Sequence, residues 1–298
     1  MEKNSEIYVA GHTGMVGSAI VRYLQKKGFR NLILRSRKEL NLFDQTAVRQ
    51  FFMHEEPEYV FDAAARVGGI NANNTLRAQF IYENLQIQNN IIHSAYESGV
   101  KKLLFLGSSC IYPRNAPQPM KEEYLLTGEL EQTNEPYAVA KIVGIKMCEN
   151  YYRQYGCQFF SVMPTNAYGP NDNYDLETSH ALPALIRKIH EAKVNDAKEV
   201  TVWGSGKPTR EFIHVDDIAG ACLLVMDKDF SQFYEQGLSH LNAGTGSEIS
   251  IDGLASLLSE IVGYQGKIDY DDSRPDGTPR KVMDVTRINQ LGWEHKID

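Results

Sequence analysis

Through its first 165 residues the chain repeats one pattern, in which a short, almost wholly apolar run is followed by a longer helical stretch of mixed character. Runs such as Ile7-Tyr8-Val9-Ala10 are near-continuously apolar, which suits strands covered by helices on both faces. In order, the pattern predicts strands at 7–10, 32–35, 59–63, 102–107 and 159–163, with helices at 15–27, 45–54, 76–98 and 136–155. Repeated strand–helix units of this length feed a parallel sheet.

Beyond Pro170 the rhythm becomes irregular. Asn171-Asp172-Asn173-Tyr174-Asp175 reads as a loop, and a helix is predicted over 181–192. Short strands at 200–203, 240–243 and 267–270 then alternate with helices at 215–226 and 251–262, and 271–280 is rich in turn formers. The expected division is 1–170 for a nucleotide-binding domain and 171–298 mainly for a smaller substrate lobe, with segments returning to the first. No internal repeat is visible.

With 42% apolar residues in 298, the chain can bury a sizeable core. Its net charge of −7 excludes a general polyanion-binding surface, so nucleic acid is not an expected partner. Met1-Glu2-Lys3-Asn4-Ser5-Glu6 runs straight into the first strand without an apolar signal core, and no later stretch approaches a membrane span. A soluble cytoplasmic protein is expected. Cys110, Cys148, Cys157 and Cys222 show neither a Cys-x-x-Cys spacing nor a His partner pattern, so no metal site is indicated.

Directly after the first strand comes Gly11-His12-Thr13-Gly14-Met15-Val16-Gly17, leading into a helix. Glycines here permit a tight turn and close approach of a pyrophosphate to the backbone, while the helix N-terminus attracts the anion. A dinucleotide site on a Rossmann-type, doubly wound α/β sheet follows. The second strand ends in Leu34-Arg35-Ser36-Arg37-Lys38 rather than in an acid. Two arginines favour a 2′-phosphate, hence NADP(H). Asp44 falls where an adenine contact is plausible.

Asn134-Glu135-Pro136-Tyr137-Ala138-Val139-Ala140-Lys141 opens a helix, with Asn134 suited to cap it and Pro136 to its first turn. A spacing of four puts the Tyr137 phenol and the Lys141 ammonium on one face. A tyrosine titrates near ~10, and a neighbouring cation is expected to stabilise its phenolate. That spacing alone is weak. Leu106-Gly107-Ser108-Ser109-Cys110-Ile111-Tyr112-Pro113, at the end of the fourth strand, adds hydroxyls at the sheet edge where α/β folds bind ligands, completing Ser-Tyr-Lys.

Together, the glycine turn, this strand end and Tyr-x-x-x-Lys resemble the extended short-chain dehydrogenase/reductase family, in its branch acting on nucleotide sugars. The likeness is nearest to the members that convert GDP-4-keto-6-deoxy-mannose to GDP-L-fucose with NADPH, and it extends through Ala65-Arg66-Val67-Gly68-Gly69-Ile70, Tyr168-Gly169-Pro170, Trp203-Gly204-Ser205-Gly206, Arg210-Glu211-Phe212 and Pro275-Asp276-Gly277-Thr278-Pro279-Arg280-Lys281. It implies cofactor contacts from residues 11–17, Arg37, Leu106, Gly107, Ser108, Ser109, Lys141, Pro164, Thr165, Asn166, Ala167 and His180. It implies a GDP-sugar held by Lys188, Trp203, Arg210 and Asp276, and a homodimer through the helices at 76–98 and 136–155. Two departures are Thr13, where the family often has Arg, and the end of the sequence at Asp298, soon after Gly292-Trp293, where members usually continue into further helix.

The resemblance also implies a two-part reaction. Cys110 and His180 match a pair that inverts C3 and C5 through enols, with a thiol near ~8.5 and an imidazole near ~6.5 well placed to exchange protons at neutrality. Tyr137 and Ser108 then serve the C4 oxygen during reduction. A sister C4 reductase, acting on another GDP-4-keto sugar such as a 6-deoxy-heptose without epimerising, fits the same nicotinamide motifs.

Overall fold

The computed structural model describes residues 1–273 and 276–297; Pro275 of the 275–281 motif and the terminal Asp298 lie outside them. The first half runs β1 (Ile7–Ala10), α1 (Met15–Lys26), β2 (Leu32–Ile33), α2 (Gln45–Glu55), β3 (Tyr59–Asp62), α3 (Ile70–Thr75), α4 (Arg77–Glu97), β4 (Lys102–Leu106), α5 (Glu135–Tyr155) and β5 (Gln158–Pro164). The second begins with β6 (Asn166–Tyr168), α6 (Ala181–Val194), β7 (Glu199–Trp203), β8 (Thr209–Arg210), β9 (Phe212–His214) and α7 (Val215–Met226). It ends with α8 (Ser231–Glu235), β10 (Leu241–Ala243), β11 (Ile249–Ser250), α9 (Ile251–Val262), β12 (Lys267–Asp271), β13 (Arg280–Lys281) and α10 (Thr286–Gln290).

Six of these strands form a parallel sheet in the order β10-β5-β4-β3-β1-β2. Side chains alternate across it, which explains why its strands are apolar throughout. Ile7 and Val9 of β1 pack with Ile20 and Leu24 of α1 and Ile218 and Val225 of α7. Tyr8 and Ala10 face the other way, into a layer with Phe52 of α2, Ile91 of α4 and Ile145 of α5. Both faces are dry, so a polar residue within these strands is conspicuous.

The sixth strand comes from the irregular half of the sequence, where β10 pairs with β5 through Leu241↔Val162, Asn242↔Met163 and Ala243↔Pro164. With it, α7, Ile288 and Trp293 join the core of the large body. The smaller lobe has its own core, built from Leu185 and Ile189 of α6, Val200 and Val202 of β7, and Leu254 and Leu258 of α9. Strand β7 is buried only at alternate residues, which leaves Trp203 on the open face. A strand predicted over 32–35 pairs only at Leu32 and Ile33, so residues 34–37 form a loop at the carboxyl edge. No helix among the described residues is long and apolar enough to cross a membrane.

Candidate active site

The strand order reverses beside β1, and the carboxyl ends of β1 and β3 open the crevice where α/β sheets bind ligands. Gly11 turns the chain there with φ of 75°, and a Cβ on it would sit 2.7 Å from the Ala63 carbonyl oxygen. A Cβ on Gly17 would lie 2.2 Å from the Gly11 oxygen. Only glycine lets α1 pack this tightly on the sheet. Helix α1 then starts at Gly14 with no side-chain cap and no acid in its first turn, leaving its N–H groups for an anion. This cradle fits a dinucleotide pyrophosphate.

Of the two arginines expected at a 2′-phosphate, Arg35 is engaged elsewhere: it pairs with Glu55 at 2.7 Å and lies over Phe51. Arg37 lies over the Phe43 ring at 5.1 Å. Asp44, read as an adenine contact, uses its carboxylate to cap α2 by accepting from the Ala47 N–H at 3.0 Å.

At the end of β4, Ser108 caps a short 3₁₀ turn, Ser109–Ile111, and accepts from the Cys110 N–H at 3.4 Å. Its Oγ lies 3.1 Å from Cys110 Sγ and also hydrogen-bonds the Tyr137 hydroxyl. Lys141, one turn along α5, donates to the Leu106 carbonyl at 2.8 Å and lies 5.8 Å from the Tyr137 ring centroid. Ser108, Cys110, Tyr137 and Lys141 thus meet at one point.

Two expectations here are corrected. Asn134 stands at the start of α5 but makes no capping bond, and its Oδ1 is buried without a hydrogen-bond partner, because Glu135 and Pro136 open the helix with the amide turned inward. Tyr137, expected to be shifted toward neutrality by Lys141 so that it can donate its proton, is instead pushed well above the ordinary phenol range by burial first and by Cys110 second, with the Ser108 hydrogen bond opposing. Lys141 is itself buried, which brings it down to about 8. The arrangement keeps Tyr137 as an acid.

His180 arrives at the start of α6 with no capping bond of its own. The loop before it is clamped to the 65–70 motif, where the Gly69 N–H donates to the Thr178 carbonyl at 2.8 Å. Desolvation and then the nearby Lys281 hold the His180 imidazole below the ordinary value of 6.5. Lys281 Nζ also lies 3.9 Å from Cys110 Sγ, so the lysine acts on both thiol and imidazole.

Pro164 pairs with Ala243 at the end of β5, and beyond it Thr165 and Asn166 both donate to the Glu211 carbonyl, at 3.3 and 2.7 Å. Ala167 follows in β6. In the smaller lobe Lys188 Nζ lies 4.9 Å from the Trp203 ring, which is 45% exposed and therefore open to stacking. Asp276 accepts from the Ser205 N–H at 2.7 Å and from its hydroxyl at 2.8 Å, closing the turn after Trp203. Arg210 reaches the Asp276 carbonyl oxygen at 3.3 Å. Contacts thus join Lys188 to Trp203 and Arg210 to Asp276, on either side of the turn at Ser205.

The sequence pattern of the NAD dependent epimerase/dehydratase family matches residues 7–237. The chain belongs to this family. Within it, the chain is 58% identical over 296 residues to GDP-L-fucose synthase 1 of Arabidopsis thaliana, covering 99% of this chain and 90% of that protein. It is 56% identical over 294 residues to GDP-L-fucose synthase of Escherichia coli K12, covering 98% and 92%. Among solved structures it resembles the NADP-bound GDP-mannoheptose C4 reductase of Campylobacter jejuni, with a TM-score of 0.92, 44% identity, and coverage of 100% of this chain and 95% of that chain.

Three residues of this epimerase/dehydratase chain stand at the site without having been singled out from the sequence. Lys281 carried no signal beyond its motif. Glu211 is wholly buried and accepts from the N–H groups of Gly246 and Met283, both at 2.8 Å, which ties together the segments behind Arg210. Asp62 ends β3 fully buried, and its signal was legible: a carboxylate closing the run Tyr59-Val60-Phe61 in a strand expected to be dry on both faces.

Proposed function

We propose that the protein converts GDP-4-keto-6-deoxy-mannose to GDP-L-fucose, epimerising C3 and C5 and reducing C4 with NADPH. The observation that carries this reading is the double role of Ser108, whose hydroxyl touches both the Tyr137 phenol and the Cys110 thiol. A proton donor for reduction and a thiol for epimerisation therefore address the same small volume. The full-length likeness to GDP-L-fucose synthases supports it.

The C4 ketone acidifies the hydrogens at C3 and C5, and inversion needs an acid and a base on opposite faces of the ring. Cys110 and His180 take these roles; an imidazole held below its ordinary value is neutral at pH 7 and ready to accept a proton. Lys281 brings positive charge to both. The bound nicotinamide supplies the hydride for C4. Tyr137, kept protonated by burial, donates to the C4 oxygen while Ser108 hydrogen-bonds it, and Lys141 offers its remaining N–H groups to the nicotinamide ribose. Gly11, His12, Thr13, Gly14, Met15, Val16 and Gly17 hold the pyrophosphate, with Arg37 at the 2′-phosphate and residues 106–109 and 164–167 around the nicotinamide. Lys188, Trp203, Arg210 and Asp276 hold the GDP end.

We further infer a cytoplasmic homodimer joined through α4 and α5, which pack on each other and carry the exposed Tyr82 and Tyr155; light scattering tests it.

Turnover in deuterated water tests the reaction. The product should carry deuterium at C3 and C5, because each inversion reprotonates an enol from an exchangeable group. Cys110→Ala should slow inversion strongly while still permitting hydride transfer to an unepimerised keto sugar. An unlabelled product of unchanged configuration would replace this reading by a C4 reductase of another GDP-4-keto sugar.

A further inference from the structure

Asp62 is fully buried at the end of β3, in the layer between the sheet and α5, and the reaction proposed above makes no use of it. In the parallel register it lies beside Phe105 of β4, so both side chains project from the same face. Phe105 packs tightly against α5: a Cβ on Gly144 would lie 2.3 Å from its ring, and Lys141 Nζ sits 4.6 Å from the ring centroid. The strand pairing therefore places the carboxylate beside the ring against which the ammonium packs. One Asp62 oxygen accepts from the Ala64 N–H at 3.2 Å, whereas Oδ2 is buried with no hydrogen-bond partner. A buried carboxylate oxygen without a donor needs a counter-charge.

We propose that Asp62 is the buried counter-ion of Lys141, a positioning residue that holds the lysine in its ammonium form beneath Tyr137. Burial pushes Asp62 up to about 6, and Lys141 is the largest influence opposing that rise. Burial pulls Lys141 down to about 8, and Asp62 is the largest influence opposing that fall. Around pH 7 the pair is therefore carboxylate and ammonium. The other titratable groups of the layer are Tyr8 from β1, Tyr137 and Cys148 from α5, and Cys110 beyond the end of β4; Arg35 acts on Tyr8 from the sheet edge. Burial raises Tyr8, Tyr137 and Cys148, so those three stay neutral and none substitutes for Asp62. Helix α4 contributes the neutral Gln88, donating to the Ala140 carbonyl at 2.7 Å.

The kinetic test rests on the proposed reaction, and a second test does not. The pH profile of kcat for NADPH oxidation with GDP-4-keto-6-deoxy-mannose should fall in wild type as pH rises through about 8, where Lys141 loses its proton. In Asp62→Asn and Asp62→Leu that basic limb should move at least one pH unit lower, with kcat at pH 7 reduced at least about twofold. A purely structural role would leave the limb in place, and an unmoved limb in either folded variant overturns the proposal. Independently of any substrate, thermal midpoints at pH 7 form a cycle of Asp62→Leu, Lys141→Met and the double variant. The double variant should melt above both single variants, or fold where they do not. Additive losses, or a double variant that fails as they do, overturn the pairing even where no turnover is seen. No turnover with an intact thermal cycle overturns the reaction and leaves the pair standing.

Discussion

Tyr137 and Arg37 show how much a single side chain's neighbours decide. The spacing of Tyr137 and Lys141 was visible in the sequence, but burial raises the phenol rather than letting the lysine bring it toward neutrality. Tyr137→Phe keeps the volume and removes the proton, so turnover should drop by about 10² to 10⁴ while NADPH still binds, as steady-state rates and a fluorescence titration would report. Of the two arginines proposed for a 2′-phosphate, Arg35 is held by Glu55, whereas Arg37 lies over the Phe43 ring with no acid partner among the described residues. Arg37→Ala should therefore lower the preference for NADPH over NADH about tenfold, and Arg35→Ala should leave it nearly unchanged, in kcat/KM for the two cofactors.

Strand β10 is an element that the sequence disclosed and the fold relocated. It closes the sheet beside β5 and brings His240 and Asn242 under the loop that follows Cys110, where the Tyr112 hydroxyl meets His240 Nε2 at 2.9 Å and Asn242 Oδ1 at 2.5 Å. Burial, and then the charges of Lys146 and Arg287, pull His240 down to about 3 from 6.5. Such a group binds a proton more readily in the unfolded chain. Its contribution to stability is complete above pH 6.5 and is lost as pH falls toward 3, at about 1.4 kcal/mol per pH unit within that window. Urea denaturation at pH 7, 6 and 5 should show this slope, and His240→Gln should flatten it.

The whole molecule depends on polar ties between segments distant in sequence. Glu211 is the clearest, since its carboxylate accepts from Gly246 and Met283 while its carbonyl receives Thr165 and Asn166. Glu211→Ala leaves buried backbone donors without partners and should destabilise the protein by about 3 kcal/mol. Because these ties sit behind Arg210, KM for the GDP-sugar should rise more than KM for NADPH. Glu211→Gln, which retains an acceptor, should recover part of both losses in denaturant midpoints and kinetics.

What the sequence determined by itself was the local and periodic part of the protein. Five strands, their helices, the glycine turn and the Tyr137–Lys141 spacing follow from apolar runs, backbone demands and helix geometry, each expressed within a few neighbouring residues. Even Asp62 was conspicuous there, as a charge ending an apolar run. The tertiary structure decided what depends on contacts across more than a hundred residues. It brought Lys281 to Cys110, seated β10 on β5, engaged Arg35 with Glu55 and spared Arg37, and turned Asn134 away from its cap. Desolvation, which arises only when these segments close on one another, then set the protonation of Tyr137, Lys141, Asp62 and His240.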